Sequence, residues 1–199
     1  SLTTGIGLGA QNGILIRSAE ALETAHKLQT VVLDKTGTIT RGQPALPDVI
    51  SNGSLPEDEL LRLVASAERS SEHPLAAAIV RGAEERGLAL ADAAEFESVT
   101  GKGVRVTVDG RQLLVGNRRL LVDEGIDIAT LEGDAERLAG EGKTPMFVAV
   151  DQRTAGLVAV ADTVKEDSRQ AVAALQGLGL EVVMITGDNR RTADAIAGQ

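Results

Sequence analysis

The sequence has no cysteine, no tryptophan and no tyrosine, and two phenylalanines in 199 residues. The missing cysteine excludes disulfides, zinc ribbons and thiolate chemistry, and fits a reducing compartment. With so few rings the core must be aliphatic, and 43% hydrophobic residues supply it. No apolar run approaches the roughly 18–20 residues that cross a bilayer. The N-terminus lacks the charged start and long apolar stretch of a signal peptide, so the sequence as given is expected to be soluble. Basic residues are short as well: 20 Lys and Arg against 29 Asp and Glu leave a formal charge of -9. That balance argues against nucleic acid as a partner but leaves open a local anion site built from backbone N–H groups.

Strand and helix signals alternate along the chain. Ser1–Gly13, rich in Gly and Thr, reads as a lead-in, and Ser18–Leu28 as a short helix. Thr30-Val31-Val32-Leu33-Asp34 reads as a strand buried on both faces, ending in a carboxylate where open α/β sheets place their sites. Pro44 and Pro47 bracket a change of style. Ser54–Ser71 reads as a helix with Ser54 as N-cap and Pro56 and acidic residues in its first turn. Pro74–Arg86 is a second helix, closed by Gly87. Val104–Val108 and Arg111–Val115 alternate around Asp109-Gly110, a hairpin signal. Leu131–Leu138 lies in an amphipathic helix. Met146–Val150 and Ala155–Ala161 form a second hairpin around Asp151-Gln152-Arg153. Glu166–Leu175 is helical, Leu180–Thr186 is another buried strand ending in Thr186-Gly187-Asp188, and Arg190–Ala197 begins a further helix. The simplest architecture is an antiparallel α+β unit inserted into a parallel-sheet unit, with hinges near Gly42–Pro44 and Val158–Asp162.

Asp34-Lys35-Thr36-Gly37-Thr38-Ile39-Thr40 carries the most chemistry. A carboxylate at a strand end can attack a phosphoryl group and become an acyl phosphate. The hydroxyls and N–H groups that follow can cradle phosphoryl oxygens, and Lys35 can screen the approach of two anions. This string resembles the signature of P-type ATPases, in which the Asp is phosphorylated. The resemblance implies an α/β haloacid-dehalogenase-like, Rossmann-like phosphorylation domain, incomplete here, with an inserted antiparallel α+β nucleotide-binding domain. The implied boundaries are 1–42, 43–158 and 159–199. Asp34 would be the nucleophile, with Lys35 and Thr36 beside it, and Asp34 and the Thr36 carbonyl would hold Mg²⁺. Thr186 would give its hydroxyl to the phosphoryl group, and Asp188 would organise the Mg²⁺ and nucleotide side. Asp162-Thr163-Val164-Lys165 resembles the family's Asp-x-x-basic hinge, with Thr163 where Pro is common; a solvated turn is the alternative reading. Phosphatases of the same fold carry a second Asp where this chain has Thr36, so water attack on a phosphoaspartate should be slow.

Ser71-Glu72-His73-Pro74-Leu75-Ala76, with Glu68, Gly101-Lys102-Gly103 and Gly116-Asn117, resembles the ATP pocket of the heavy-metal-transporting subclass. By that resemblance Glu68 accepts from the adenine amino group, His73 packs beside the base, and Gly101 and Gly103 admit it closely; Gly116 and Asn117 complete the set. A pocket of His and bare backbone needs no aromatic platform, and Phe147, on a strand, reads as core. His26 reads as a surface helix residue. Glu20–Lys27 looks most like the copper-exporting branch, with zinc/cadmium exporters the alternative. The stretch Gly9–Arg17 looks like the cytosolic exit of a membrane helix.

The resemblance thus implies the cytosolic portion of a Cu⁺-exporting pump, on the cytoplasmic side of a membrane. It would use ATP and Mg²⁺ and work with transmembrane and actuator domains of the same parent. The family's Gly-Asp-Gly-x-x-Asn-Asp segment and phosphate-binding Lys fall downstream of Asn189, so the chain as given is expected to bind ATP and phosphorylate itself poorly. A partial parallel sheet with an open edge is expected to dimerise or aggregate. The competing classes are a soluble haloacid-dehalogenase-like phosphatase and a pure nucleotide-binding module.

Overall fold

The computed structural model describes residues 2–71 and 73–199. The first half of the chain forms α1 (Leu2–Gln11), α2 (Ala19–Ala25), β1 (Thr30–Asp34), β2 (Ala45–Ser51), α3 (Glu57–Glu68), α4 (Pro74–Glu85) and β3 (Ala93–Val99). There follow β4 (Gly103–Val108), β5 (Arg111–Gly116), α5 (Arg118–Asp123), α6 (Ala129–Gly140), β6 (Thr144–Val150) and β7 (Arg153–Ala161). The chain closes with α7 (Ser168–Gly177), β8 (Glu181–Ile185) and α8 (Arg190–Ala197). The chain divides into two compact units: Ser1–Asp34 with Glu166–Ile185, and Lys35–Lys165 with Thr186–Gln199.

In the first unit β1 and β8 pair in parallel, from Thr30 opposite Glu181 to Asp34 opposite Ile185. Both strands alternate between half-buried and exposed residues, and Val32 and Ile185 are each 59% exposed. The expectation of strands buried on both faces is therefore wrong here. Such burial needs cover on both faces, and among the described residues this sheet has only two strands. The glycine-rich lead-in forms a helix from Leu2 onward, while Ser1 lies outside the described residues. Ser18 caps α2, its hydroxyl accepting from the Ala21 N–H at 3.1 Å. His26 follows that helix and is exposed.

The second unit is built on a six-stranded antiparallel sheet in the order β2-β7-β6-β5-β4-β3. Helices cover both faces, so each central strand feeds two cores. In β6, Val148 and Val150 join α3 and α4, while Phe147 and Ala149 join α5 and α6. In β5, Leu113 and Val115 go one way and Leu114 the other. The β4–β5 turn is Asp109-Gly110, both residues at positive φ, as the twist-matched two-residue turn requires. The second hairpin turns on Asp151 and Gln152 alone, at φ 48° and 62°, and Arg153 already belongs to β7.

Helix α3 starts at Glu57, not Ser54. Pro56 occupies the cap position and keeps its predecessor out of helical backbone, while the Ser54 N–H donates to Asn52 Oδ1 in a turn. The edge strands β2 and β3 and helix α5 are not evident from local pattern. Proline in β2 and the alanines and glutamates of β3 are poor strand signals, tolerated at an edge.

The layered core predicts that Leu60→Ala, fully buried between α3 and the sheet, costs ~2–5 kcal/mol in chemical denaturation. Val32→Ala, on the open face of β1, should stay within about 0.5 kcal/mol of the parent.

Candidate functional site

The Lys35–Ile39 segment forms one wide turn, closed by the Thr40 N–H donating to the Lys35 carbonyl at 3.0 Å. Within it Thr36 is extended and Gly37 sits at φ 77°, a conformation that favours glycine. The turn is held from outside. Thr40, fully buried, donates its hydroxyl to Asp162 Oδ2 at 2.6 Å, and that carboxylate also accepts from the Gly42 and Gln43 N–H groups. Lys165 donates its ammonium to the Gly37 carbonyl at 2.8 Å and its N–H to Ile39 at 3.0 Å. The Asp162–Lys165 segment is therefore a clamp on this turn rather than a solvated turn.

Lys35 forms an ion pair with Asp188, Nζ to Oδ2 at 2.5 Å, with both side chains close to nine-tenths covered. Thr186 donates to the same oxygen at 3.1 Å and Thr144 to Oδ1 at 2.9 Å. Burial is the largest influence on Asp188 and raises its pKa, but the Lys35 charge and the three hydrogen bonds together hold it below the ordinary aspartate value. Lys35, Thr186 and Asp188 are thus brought together. Asp34, exposed, is the last residue of the first unit, consecutive with Lys35. Asp34 and Thr36 offer a carboxylate and a carbonyl, hard oxygen donors of the kind Mg²⁺ takes alongside water and phosphate. Among the described residues no group of three His, Cys, Asp or Glu side chains could hold a metal.

Glu68 and His73 bracket the turn from α3 to α4. Glu68 is 4% exposed, and its burial raises its pKa, opposed by a hydrogen bond from Ser71. The Ser71 hydroxyl in turn accepts from the His73 N–H at 3.3 Å. His73 is exposed and caps α4, Nδ1 accepting from the Leu75 N–H at 3.2 Å, which fixes its ring and its tautomer. Ser71 is the link between the two predicted residues, a role that its place in the quoted motif did not announce; Glu72 lies outside the described residues.

Gly101, Gly103, Gly116 and Asn117 are also brought together. Asn117 caps α5, accepting from the Arg119 and Leu120 N–H groups, and its side-chain amide donates to the Gly101 carbonyl at 2.8 Å. Gly103 and Gly116 face each other across β4 and β5. A Cβ on Gly103 would lie 2.1 Å from the Val115 carbonyl, and one on Gly116 would lie 2.2 Å from that of Lys102. These two glycines are required by the chain's own packing before any ligand is considered. Only at Gly101, at φ 69°, does a Cβ meet open space. Thr144 is the site residue the sequence hid; nothing in Gly-Lys-Thr at a strand start points to Asp188, 44 residues later.

Residues 28–199 match the haloacid dehalogenase-like hydrolases, and the chain belongs to that family. Its fold is the expected haloacid-dehalogenase-like class with an antiparallel α+β portion. It is 49% identical over 197 residues to a copper-exporting P-type ATPase of Bacillus subtilis (strain 168), covering 99% of this chain and 25% of that protein. It is 51% identical to a copper-transporting P-type ATPase of Rhizobium leguminosarum bv. viciae, covering 99% and 23%. A crystal structure of a zinc-transporting PIB-type ATPase in an E2.Pi state is similar at TM-score 0.71 and 34% identity, over 99% of this chain and 32% of that one. The chain thus spans about a quarter of the length of the curated relatives it matches. No helix among the described residues is long and apolar enough to cross a membrane.

The two perturbed carboxyls of the candidate site, Asp188 and Glu68, predict opposite pH trends. Asp188, depressed when folded, contributes stability that is complete above its unfolded pKa and lost as pH falls through the folded value. Glu68, raised when folded, favours the folded state most below its unfolded pKa and loses that advantage as pH rises through the folded value. Asp188→Asn should flatten the acid limb of a denaturation-midpoint profile, and Glu68→Gln the limb above it.

Proposed function

We propose that this chain is the ATP-binding and phosphoryl-accepting cytosolic portion of a heavy-metal P-type ATPase. It couples ATP hydrolysis, through a phosphoaspartate at Asp34, to export of a soft metal ion, taken as Cu⁺ because its relatives are named for copper. The observation that carries the reading is the string Asp34–Thr40 in a chain of this family, folded as a clamped turn directly after a strand-end carboxylate. The proposed division is 1–42 and 159–199 for the phosphorylation domain, the latter continuing it, and 43–158 for the nucleotide-binding domain. The proposed partners are transmembrane and actuator domains of the same parent, at the cytoplasmic face of a membrane.

In the proposed reaction Asp34 attacks the γ-phosphorus of ATP. The bond to the β-phosphate oxygen breaks, ADP leaves, and Asp34 carries the phosphoryl group. Lys35 offsets the repulsion between the two anions, and Thr186 offers a hydroxyl to the transferred oxygens. Bound Mg²⁺, held by Asp34 and the Thr36 carbonyl, would supply positive charge to the phosphates. Glu68, poised by burial and by Ser71, accepts from the adenine amino group; His73, its ring fixed as a helix cap, packs beside the base; Gly101, Gly103, Gly116 and Asn117 shape the rest. Thr36 supports slow hydrolysis, because it stands where phosphatases of this fold carry an acid/base Asp. The zinc/cadmium-exporting alternative draws on the zinc-transporting structural relative.

Calorimetric titration with ATP should show saturable binding that His73→Ala weakens at least several-fold. A folded chain that binds no ATP, or one that turns over simple phosphate monoesters, would move the reading to a soluble phosphatase.

A further inference from the structure

We propose that Thr144, the first residue of β6, is a positioning residue for the Lys35–Asp188 pair. A carboxylate on a short stem is poorly fixed by its own torsions, because the terminal sp³–sp² rotation is broad. It is fixed only by bonds on both oxygens. Oδ2 of Asp188 takes Lys35 and Thr186, and Thr144 supplies the bond on Oδ1 at 2.9 Å. Lys35 reaches the carboxylate on a long unbranched stem, and Thr186 is two residues away on the same loop, so neither fixes it as a short side chain on a strand does. Thr144 does. It lies opposite Val160 in the β6–β7 ladder, and its branched Cβ leaves few χ1 choices.

A second set of contacts holds the Asp188 segment at the same place. Thr192, fully buried, donates to the Lys143 carbonyl at 2.9 Å. Its N–H donates to the Asn189 side chain, which caps α8. Ile196 is 7% exposed and stands where a Cβ on Gly142 would meet it at 3.0 Å. Arg191 pairs with Glu136 of α6 at 2.9 Å. Consecutive residues Gly142, Lys143 and Thr144 therefore meet α8 at Ile196 and Thr192 and the carboxylate before it at Asp188. The Thr144 hydroxyl thus links the sheet proposed to bind nucleotide, through Asp188, to the lysine proposed to meet phosphate. The consequence for phosphoryl transfer rests on the function proposed above; the placement of Lys35 does not.

The test reads Lys35 directly. Limited acylation of the folded chain with an amine-reactive ester, followed by peptide mass mapping, gives the labelling rate of each lysine. Thr144→Val keeps the branched shape and removes the hydroxyl. It should raise Lys35 labelling several-fold relative to Lys102, which pairs with Asp123 elsewhere in the unit. Thr144→Ser should restore the parent rate, and Asp188→Asn should set the upper limit. Unchanged Lys35 labelling in Thr144→Val, with Asp188→Asn raised, would overturn the proposal. So would a rise at every lysine with a lowered melting temperature that Thr144→Ser does not rescue. Loss of ATP binding or of Asp34 phosphorylation would instead count against the proposed function and leave these rates untouched.

Discussion

The central sheet is covered by helices on both faces, and this makes side-chain parity the constraint on which the larger unit depends. Phe147, Val148, Ala149 and Val150 must alternate between two cores, and no slip of one residue is tolerated without reversing all four. The cross-strand closeness of Gly103 and Gly116 and the tight approach of Gly156 to the Ile50 carbonyl, 2.2 Å from a would-be Cβ, follow from that packing. The same register sets the β4–β5 end where Asn117 reaches the Gly101 carbonyl and the β6 end where Thr144 reaches Asp188. Two groups of candidate site residues therefore inherit their geometry from one set of strand pairings.

The polar side of the structure is organised by supports that lie far away in sequence. A turn that leaves a strand end without regular secondary structure cannot satisfy its own polar groups, and unsatisfied buried groups are costly. Here the turn after Asp34 is held by Asp162 and Lys165, more than 120 residues downstream. Asp188 stays ionised in a largely covered position because Lys35 and two hydroxyls compensate its desolvation. Glu68 is held the other way, with burial dominant and a single hydroxyl opposing it. The two carboxyls are tuned in opposite directions by the balance of burial and partners.

Much of this was legible in the sequence. Both hairpins, helices α4, α6 and α8, and the strands leading to Asp34 and Thr186 are written in turn residues and apolar periodicity, which act locally. What was not legible depends on distant partners. The openness of β1 and β8 depends on which layers flank them, and a run such as Thr30–Asp34 reads the same covered or bare. The edge strands β2 and β3 are held by pairing rather than propensity. The lysine and carboxylate residues of the two candidate sites stood out by motif, but Thr144 did not, and Ser71 stood in its motif without a role. Their roles arise from contacts that no spacing announces. His73 and Gly103 were foreseen for ligand contact, yet each also has work within the chain, as a helix cap and as a close strand crossing.

Transfer of the γ-phosphoryl group to Asp34 tests the account most directly. In the full-length transporter proposed here, incubation with ATP labelled in the γ-phosphate and Mg²⁺ should give a labelled protein. Hydroxylamine should remove the label, and Asp34→Asn should abolish it. Acid- and hydroxylamine-stable label, or label that persists in Asp34→Asn, would contradict the assignment of Asp34 as the phosphoryl acceptor.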